Sequence, residues 1–235
     1  MFDQHYAWLV WSLMLLAIWL AVYFFLRNQE SRKEMLRVSL WTSLLGATEP
    51  LFVPEYWSPP SLFDLALRTG FDIESFLFSF GIGGLAVVIY ENFFPTLHEA
   101  MSDEERRHSR HRYHFWALVS GPIIFVLLLI FTDWNHIYSA SVALVGAGLF
   151  TRYCRPDLKN KMFVSAIIFI GLYFIYFLTL TILYPGYVEQ VWNLSAISGI
   201  LIFGVPIEEL IFALSFGFYW PSVYEHLKWY RIKVT

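Results

Sequence analysis

The chain has 235 residues, of which 57% are hydrophobic and only 15% are charged. Because a soluble domain usually carries about 25% charged residues, this composition favours an integral membrane protein over a soluble one. The single cysteine, Cys154, excludes an intramolecular disulfide, and the net charge of −3 by itself indicates little. No low-complexity segment divides the chain, so we expect one membrane domain over residues 1–235.

Seven apolar stretches come close to the length that crosses a hydrocarbon core of about 30 Å. They cover, in chain order, about residues 7–27, 36–53, 70–91, 115–132, 136–153, 162–184 and 200–221. The sequence therefore predicts an all-α integral membrane fold with seven transmembrane helices. The first stretch lacks a basic segment before it and a cleavage site after it, which favours a retained helix over a signal peptide.

The basic residues predict the orientation of the chain. Fifteen of the 16 Lys and Arg residues lie in the loops after the first, third and fifth stretches or in the C-terminal tail, and only Arg68 lies elsewhere. Since basic residues concentrate on the cytoplasmic side, we expect the N-terminus outside and the C-terminus inside. The expected location is a multi-pass protein of a prokaryotic cytoplasmic membrane.

An internal repeat relates the two ends of the chain. Residues 70–91 align with 204–225 without a gap, with seven identities in 22 positions. The identical pairs are Gly70/Gly204, Ile73/Ile207, Glu74/Glu208, Phe78/Phe212, Gly83/Gly217, Tyr90/Tyr224 and Glu91/Glu225. The alignment predicts a 3+1+3 parallel repeat: repeat A at about 7–91, a linker helix at about 115–132 and repeat B at about 136–225. Working sites of such repeats lie at the repeat interface.

Several acids fall inside these apolar stretches. Glu74 and Glu208 are repeat-equivalent, Glu209 follows directly, Asp72 lies just before Glu74, and Glu49 lies in the second stretch. A charged carboxylate at mid-bilayer costs on the order of 3 kcal/mol, and no Lys or Arg lies mid-span to pair with one. We therefore expect neutral carboxylic acids able to donate protons. A purely structural role, in hydrogen bonds between helices, stays open.

The surroundings of these acids carry further expectations. We expect Pro206 to remove a helical hydrogen bond and free the carbonyl of Ile202, which would kink the last helix just before Glu208. Glu91 and Glu225 end their stretches at the cytoplasmic side, where we expect them to anchor the helices at the interface.

Aromatic residues accompany the acids. Phe78 and Phe212 lie four residues beyond Glu74 and Glu208, hence on the same helix faces. Four tryptophans near span ends are typical of an interfacial aromatic belt. They are Trp57, Trp134, Trp192 and Trp229.

Two further patterns favour structural interpretations. Gly81, Gly83 and Gly84 lie inside a span and predict close helix packing rather than a nucleotide loop. His108, His111 and His114 recur at every third position among arginines, which favours a membrane-surface basic patch over a metal site.

Topology suggests three families that the residues then exclude. The last stretch has no lysine for a retinal, the chain has no Pro-Gln pair of a sugar transporter, and no paired Asp-rich motif would hold a magnesium diphosphate. The pattern leaves chemistry on, or binding of, a lipid without phosphate.

The segment Pro206-Ile207-Glu208-Glu209, followed by Phe212 and preceded by Trp192 and Phe203-Gly204-Val205, resembles the P-x-E-E-x-x-F motif of the integral-membrane lycopene cyclases. The resemblance covers the second and third stretches and the last two. It is to the heterodimeric or fungal-type, flavin-free family in its fused single-chain form. The first half departs from the motif, because it reads Asp72-Ile73-Glu74-Ser75.

The resemblance implies a redox-neutral cyclisation of carotenoid end groups by proton addition and proton loss. It implies Glu208 as proton donor, Glu209 or Glu74 as the group that tunes it or takes the final proton, and Asp72 as a replacement acid. Phe78 and Phe212 would face the cation. Two further residues are expected at the substrate, namely Glu49 and Trp192.

No flavin, other cofactor or metal is expected, and the implied partners are a long apolar polyene and membrane lipid, without nucleic acid. Alternatives stay open: a non-enzymatic carotenoid- or lipid-binding protein, a polyene hydratase, or a proton-coupled transporter. The ring type, the number of ends cyclised, the polyene and the oligomeric state, including a homo-oligomer, also stay open.

Overall fold

The computed structural model describes residues 4–234, and most of them lie in helices. The helices are α1 Ala7–Phe25, α2 Gln29–Ser43, α3 Glu49–Phe52, α4 Leu65–Thr69, α5 Ile73–Phe93, α6 Asp103–Arg106, α7 His114–Phe131, α8 His136–Cys154, α9 Lys159–Leu183, α10 Tyr187–Val191, α11 Ile207–Tyr219 and α12 Val223–Lys228. The strands are β1 Thr96–Ala100, β2 Leu201–Ile202, β3 Val205–Pro206 and β4 Tyr230–Val234.

The strands form two small antiparallel pairs. β1 pairs with β4, from Thr96 opposite Val234 to Ala100 opposite Tyr230. β2 pairs with β3 directly before α11. Each pair remains a separate two-stranded sheet, and no larger sheet forms among residues 4–234.

Four helical segments of the described chain are long and apolar enough to cross a membrane. They are Gln4–Phe25, Ile73–Phe93, Ser109–Phe131 and Pro156–Leu183. They correspond to the first, third, fourth and sixth predicted stretches, and they indicate a membrane protein. The seven-span count, the repeat and the orientation stay predictions.

The other predicted stretches take different forms. Residues 36–53 divide into α2, a 3-10 turn at Leu44–Thr48 and α3. Residues 136–153 form the continuous helix α8. The expectation of one helix over 200–221 is wrong, since that stretch begins as a hairpin and only 13 residues form α11. At 1.5 Å per residue, such a helix is about 20 Å long, which is shorter than a hydrocarbon core.

The predicted kink at Pro206 is also wrong. Phe203 and Gly204 both have positive φ, of 52° and 83°, and make the two-residue turn that joins β2 to β3. Pro206 therefore ends a strand, and α11 begins one residue later at Ile207. The proline precedes the helix and interrupts no helical hydrogen bond.

Contacts divide the chain into two compact units. Unit 1 contains the residues up to 85, 135–137 and 171–210, and unit 2 contains 86–134, 138–170 and the residues from 211 onward. In unit 1 the predicted close packing at glycines is confirmed. A side chain at Gly83 would collide with Thr42, and one at Gly84 would collide with Ser39 and Trp19.

Unit 2 contains a buried ion-pair cluster. The Lys161 ammonium lies 2.7 Å from Glu91 and 2.6 Å from Glu225, and His98 Nε2 lies 3.1 Å from Glu225. Although burial alone raises it, Lys161 and His98 hold the pKa of the Glu225 carboxyl at about 2. The expectation that Glu91 and Glu225 are anchors solvated at the interface is therefore wrong, because both side chains are buried and paired with Lys161.

Candidate active site

Glu74 and Glu208 occupy the same position at the starts of two different helices, and both residues belong to unit 1. Each is the second residue of its helix, and each is fully buried. One carboxyl oxygen of Glu74 accepts the Leu62 N–H at 2.7 Å, and one of Glu208 accepts the Ser198 N–H at 2.9 Å. The expectation that both acids lie well inside helices is wrong. They lie in the first turns of α5 and α11.

Asp72 and Glu49 lie close to Glu74. The Ser75 N–H donates to Asp72 Oδ1 at 2.5 Å, so Asp72 caps the start of α5. Glu49 is the buried first residue of α3, within electrostatic range of Asp72 and Glu74. The structure thus brings three predicted acids of the first half together and supplies a structural role for Asp72.

Glu209 is held by three hydrogen-bond donors. Tyr56 donates its hydroxyl to Oε1 and Tyr173 donates its hydroxyl to Oε2, each at 2.6 Å. The Trp192 indole N–H donates to Oε1 at 3.0 Å. An indole can only donate, so this arrangement suits an ionised carboxylate, and hydrogen bonds to an ionised group are the strong ones. Burial of Glu209 favours its neutral form, and these three hydrogen bonds favour its ionised form.

A closed circuit of aromatic rings lies beside this carboxylate. Its members are, in order of contact, Trp8, Trp57, Trp192, Phe177 and Trp11, and Trp11 returns to Trp8. The successive ring centroids lie 4.6, 5.2, 5.5, 5.3 and 5.6 Å apart. Trp192 belongs both to the circuit and to the Glu209 cluster, so the aromatic wall and the anion share a residue.

The structure places the two predicted phenylalanines differently. Phe78 lies against the circuit, with its ring 5.2 Å from Trp8 and 5.5 Å from Trp11. Phe212 lies in unit 2, where it stacks on Phe216 at 5.6 Å. Phe212 nevertheless belongs to the same helix as Glu208, four residues further along α11.

The belt interpretation is wrong for Trp192. Its side chain is buried and donates to Glu209, whereas Trp134 is 51% exposed as a belt residue should be. Trp192 is buried because it directly follows α10 and its backbone pairs with that of Trp57 in an isolated bridge.

Sequence reasoning missed most residues that surround Glu209. Trp8 and Trp11 share a helix face with Leu15 and Trp19, and all four are buried, so a stripe at helical spacing was available as a signal. Tyr173 and Phe177 share a helix face in the same way, and both are buried. Tyr56 precedes α4 in an irregular segment, and no sequence pattern pointed to it.

The combined arrangement can perform acid–base chemistry away from water. Glu208 and Glu209 are adjacent and buried, and only Glu209 is held by three side-chain donors, so the two carboxyl groups have different surroundings. Aromatic faces nearby can stabilise a positive charge that develops in a substrate. Such a site suits proton transfer to and from an apolar molecule.

A family model described as lycopene cyclase matches residues 135–227. The matched segment contains Trp192, Glu208, Glu209 and Phe212, whereas Glu49, Asp72, Glu74 and Phe78 lie before it. No curated protein and no solved structure matches the chain. The chain is thus similar to the lycopene cyclase family over this segment, which is less than half of its length.

Proposed function

We propose that the chain is an integral-membrane, flavin-free lycopene cyclase in a fused single-chain form. The observation that carries the proposal is the pair of buried glutamates, of which Glu209 is fixed by Tyr56, Tyr173 and Trp192 beside the aromatic circuit. The family match to residues 135–227 supports the same activity. The reaction is an intramolecular, redox-neutral isomerisation of a carotenoid end group.

The proposed reaction has three steps and leaves the molecular formula unchanged. A proton adds to the terminal double bond of the linear end group and leaves a carbocation. The electron pair of a neighbouring double bond closes the ring and moves the positive charge to a ring carbon. Loss of a proton from the carbon next to that charge forms the ring double bond. One proton enters and one leaves, so no oxidant, reductant or cofactor is needed.

Glu208 is the proposed proton donor. Its carboxyl lies next in sequence to a carboxylate that three donors favour as an anion, and a nearby anion favours the protonated form of its neighbour. Glu209 then balances the carbocation and is the group that takes the final proton. Trp8, Trp57 and Phe78 offer ring faces to the cation on its path.

The acids of the first half form a second proposed set. Glu74 stands in the same place as Glu208 at the start of its helix, and both accept a backbone N–H from the preceding loop. α5 and α11 begin at Ile73 and Ile207, which the proposed repeat aligns. These correspondences support the internal repeat. Glu74 is the first candidate for reaction at a second substrate end, with Glu49 beside it.

The test is pigment analysis of lycopene-accumulating bacterial cells that express the chain. We expect monocyclic or bicyclic carotenes with the wild type and unchanged lycopene with Glu208→Gln. Glu189→Gln is the matched control, since Glu189 is an exposed glutamate of the same unit. Unchanged lycopene with the wild type, with the protein verified in the membrane, would contradict the proposal.

The pigments also separate the alternatives. A carotenoid-binding protein would retain lycopene bound in both the wild type and Glu208→Gln. A polyene hydratase would yield hydroxylated products with the mass of one added water. A proton-coupled transporter would show pH-dependent uptake without a change in the pigment.

A further inference from the structure

Two histidines and the single cysteine of the chain meet in unit 2. His111 Nδ1 lies 3.4 Å from Cys154 Sγ, and His114 Nδ1 lies 3.6 Å from the same sulfur. One ligand atom from each of the three residues lies within 4.8 Å of the other two. His111 and Cys154 are buried, so the interpretation of His111 as part of a membrane-surface basic patch is wrong.

The spacing of these atoms suits one tetrahedral metal ion. With zinc–nitrogen bonds of about 2.0 Å and zinc–sulfur bonds of about 2.3 Å, tetrahedral angles separate a nitrogen from a sulfur ligand by about 3.5 Å. The two observed separations bracket this value. Imidazole nitrogen and thiolate sulfur are also the ligands that zinc prefers in proteins.

The local chain explains why the two imidazoles face one sulfur. His111 lies in a 3-10 turn at Ser109–Tyr113, and His114 begins α7 three residues later, so both lie on one side of the turn. Cys154 is the last residue of α8. The Trp229 ring stacks on His114 at 3.7 Å and fixes the plane of that imidazole.

The surroundings are compatible with a cation. Arg155 follows Cys154, but its guanidinium is paired with Asp157, at 2.9 and 2.6 Å from the two carboxylate oxygens. His226 is a second buried imidazole beside the cluster, with its ring 4.3 Å from that of His114. Among residues 4–234, its Nε2 has no hydrogen-bond partner. A third imidazole, that of His226, thus lies beside the two that face Cys154.

We propose that His111, His114 and Cys154 bind one zinc ion, with a fourth position open to water or another ligand. The site lies in unit 2 and takes no part in the proposed cyclisation, whose acids belong to unit 1. It departs from the expectation that the chain has no metal site. The sequence pattern concealed it, because Cys154 follows His114 at a distance of 40 residues.

The test is a titration of the purified, metal-stripped protein with Co²⁺ in detergent, using an affinity tag without histidines. Tetrahedral Co²⁺ bound to a thiolate has a near-ultraviolet charge-transfer band and visible bands. Because the chain has one cysteine, any such band reports on Cys154. We expect the bands to saturate at one equivalent and to disappear when Zn²⁺ is added.

Variants then identify the ligands. We expect Cys154→Ser to abolish the charge-transfer band, and His111→Ala and His114→Ala to weaken Co²⁺ binding by at least about tenfold. His5→Ala is the control, because His5 is an exposed histidine distant in sequence from these three residues, and the affinity of this variant should equal that of the wild type.

Three results would overturn the proposal. The first is a wild type without the thiolate band, which needs no variant and is independent of variant folding. The second is a band that persists in Cys154→Ser. The third is an equal loss of affinity in His5→Ala and His111→Ala. None of these bears on the pigment assay, so the failure of the metal site and the failure of the proposed cyclase are distinguishable.

Discussion

The role of Glu209 can be tested by removing one hydroxyl group. In Tyr173→Phe, Glu209 Oε2 loses its 2.6 Å hydrogen bond, while the ring that lies 6.2 Å from Phe177 is kept. A hydrogen bond to a charged group contributes about 1.5–3 kcal/mol. If the anion of Glu209 stabilises the transition state, the rate of cyclisation should fall by about 10- to 100-fold.

Tyr176→Phe is the matched control for that experiment. Its hydroxyl is also buried and also donates one hydrogen bond, but to the backbone carbonyl of Trp11 at 2.5 Å. We expect this variant to change the rate by no more than about threefold, since it leaves Glu209 untouched. The assay is the initial rate of lycopene conversion in membranes with equal amounts of each protein. Equal rates for Tyr173→Phe and Tyr176→Phe would refute the reasoning.

Three further predictions concern other parts of the molecule. Lys161→Met should lower the free energy of unfolding by about 3–5 kcal/mol, because it leaves buried carboxyls without their cation. Lys33→Met, in an exposed pair, should lower it by less than about 1 kcal/mol. Equal losses of the two variants in thermal unfolding in detergent would contradict this. The pKa of Glu225 is lowered to about 2, whereas a Glu in the unfolded chain has a pKa of about 4.3. The contribution of Glu225 to the stability of the folded protein should therefore be present above about pH 4.3 and be lost as the pH falls towards 2. A Glu225→Gln variant whose free energy of unfolding differs from that of the wild type equally at pH 3 and pH 7 would contradict this. Phe78→Leu should slow cyclisation by about tenfold at an unchanged protein level, because a ring face beside Trp8 is lost. An unaltered rate in the membrane assay would show that Phe78 takes no part in the reaction.

Part of the candidate site could be predicted because burying a charged side chain costs free energy, which makes an acid in an apolar segment conspicuous. Glu74, Glu208 and Glu209 stand out in an apolar chain, and the structure buries all three. The match at Glu74 and Glu208 also anticipated that they would occupy equivalent helix positions. Hydrophobic periodicity could not predict that Glu74 and Glu208 lie in the first turns of their helices. The starts of α5 and α11 are set by the Asp72 cap and by the β2–β3 hairpin, which leave no periodic pattern.

The hairpin before α11 shows why the remainder was missed. Phe203 and Gly204 adopt positive φ, and a bulky residue rarely does so, which made an uninterrupted helix the simpler prediction. The donors to Glu209 come from segments that are distant in sequence, with Tyr56 lying 153 residues away from it. Pairings of this kind depend on the tertiary fold and leave no local pattern.

We propose that the protein adds one proton to a polyene and removes another without redox chemistry. The most direct test is lycopene conversion by membranes in heavy water, with the product analysed by mass spectrometry. We expect one deuterium for each ring formed, and no product with Glu208→Gln. Cyclic product without deuterium, or rings formed at the wild-type rate by Glu208→Gln, would contradict it.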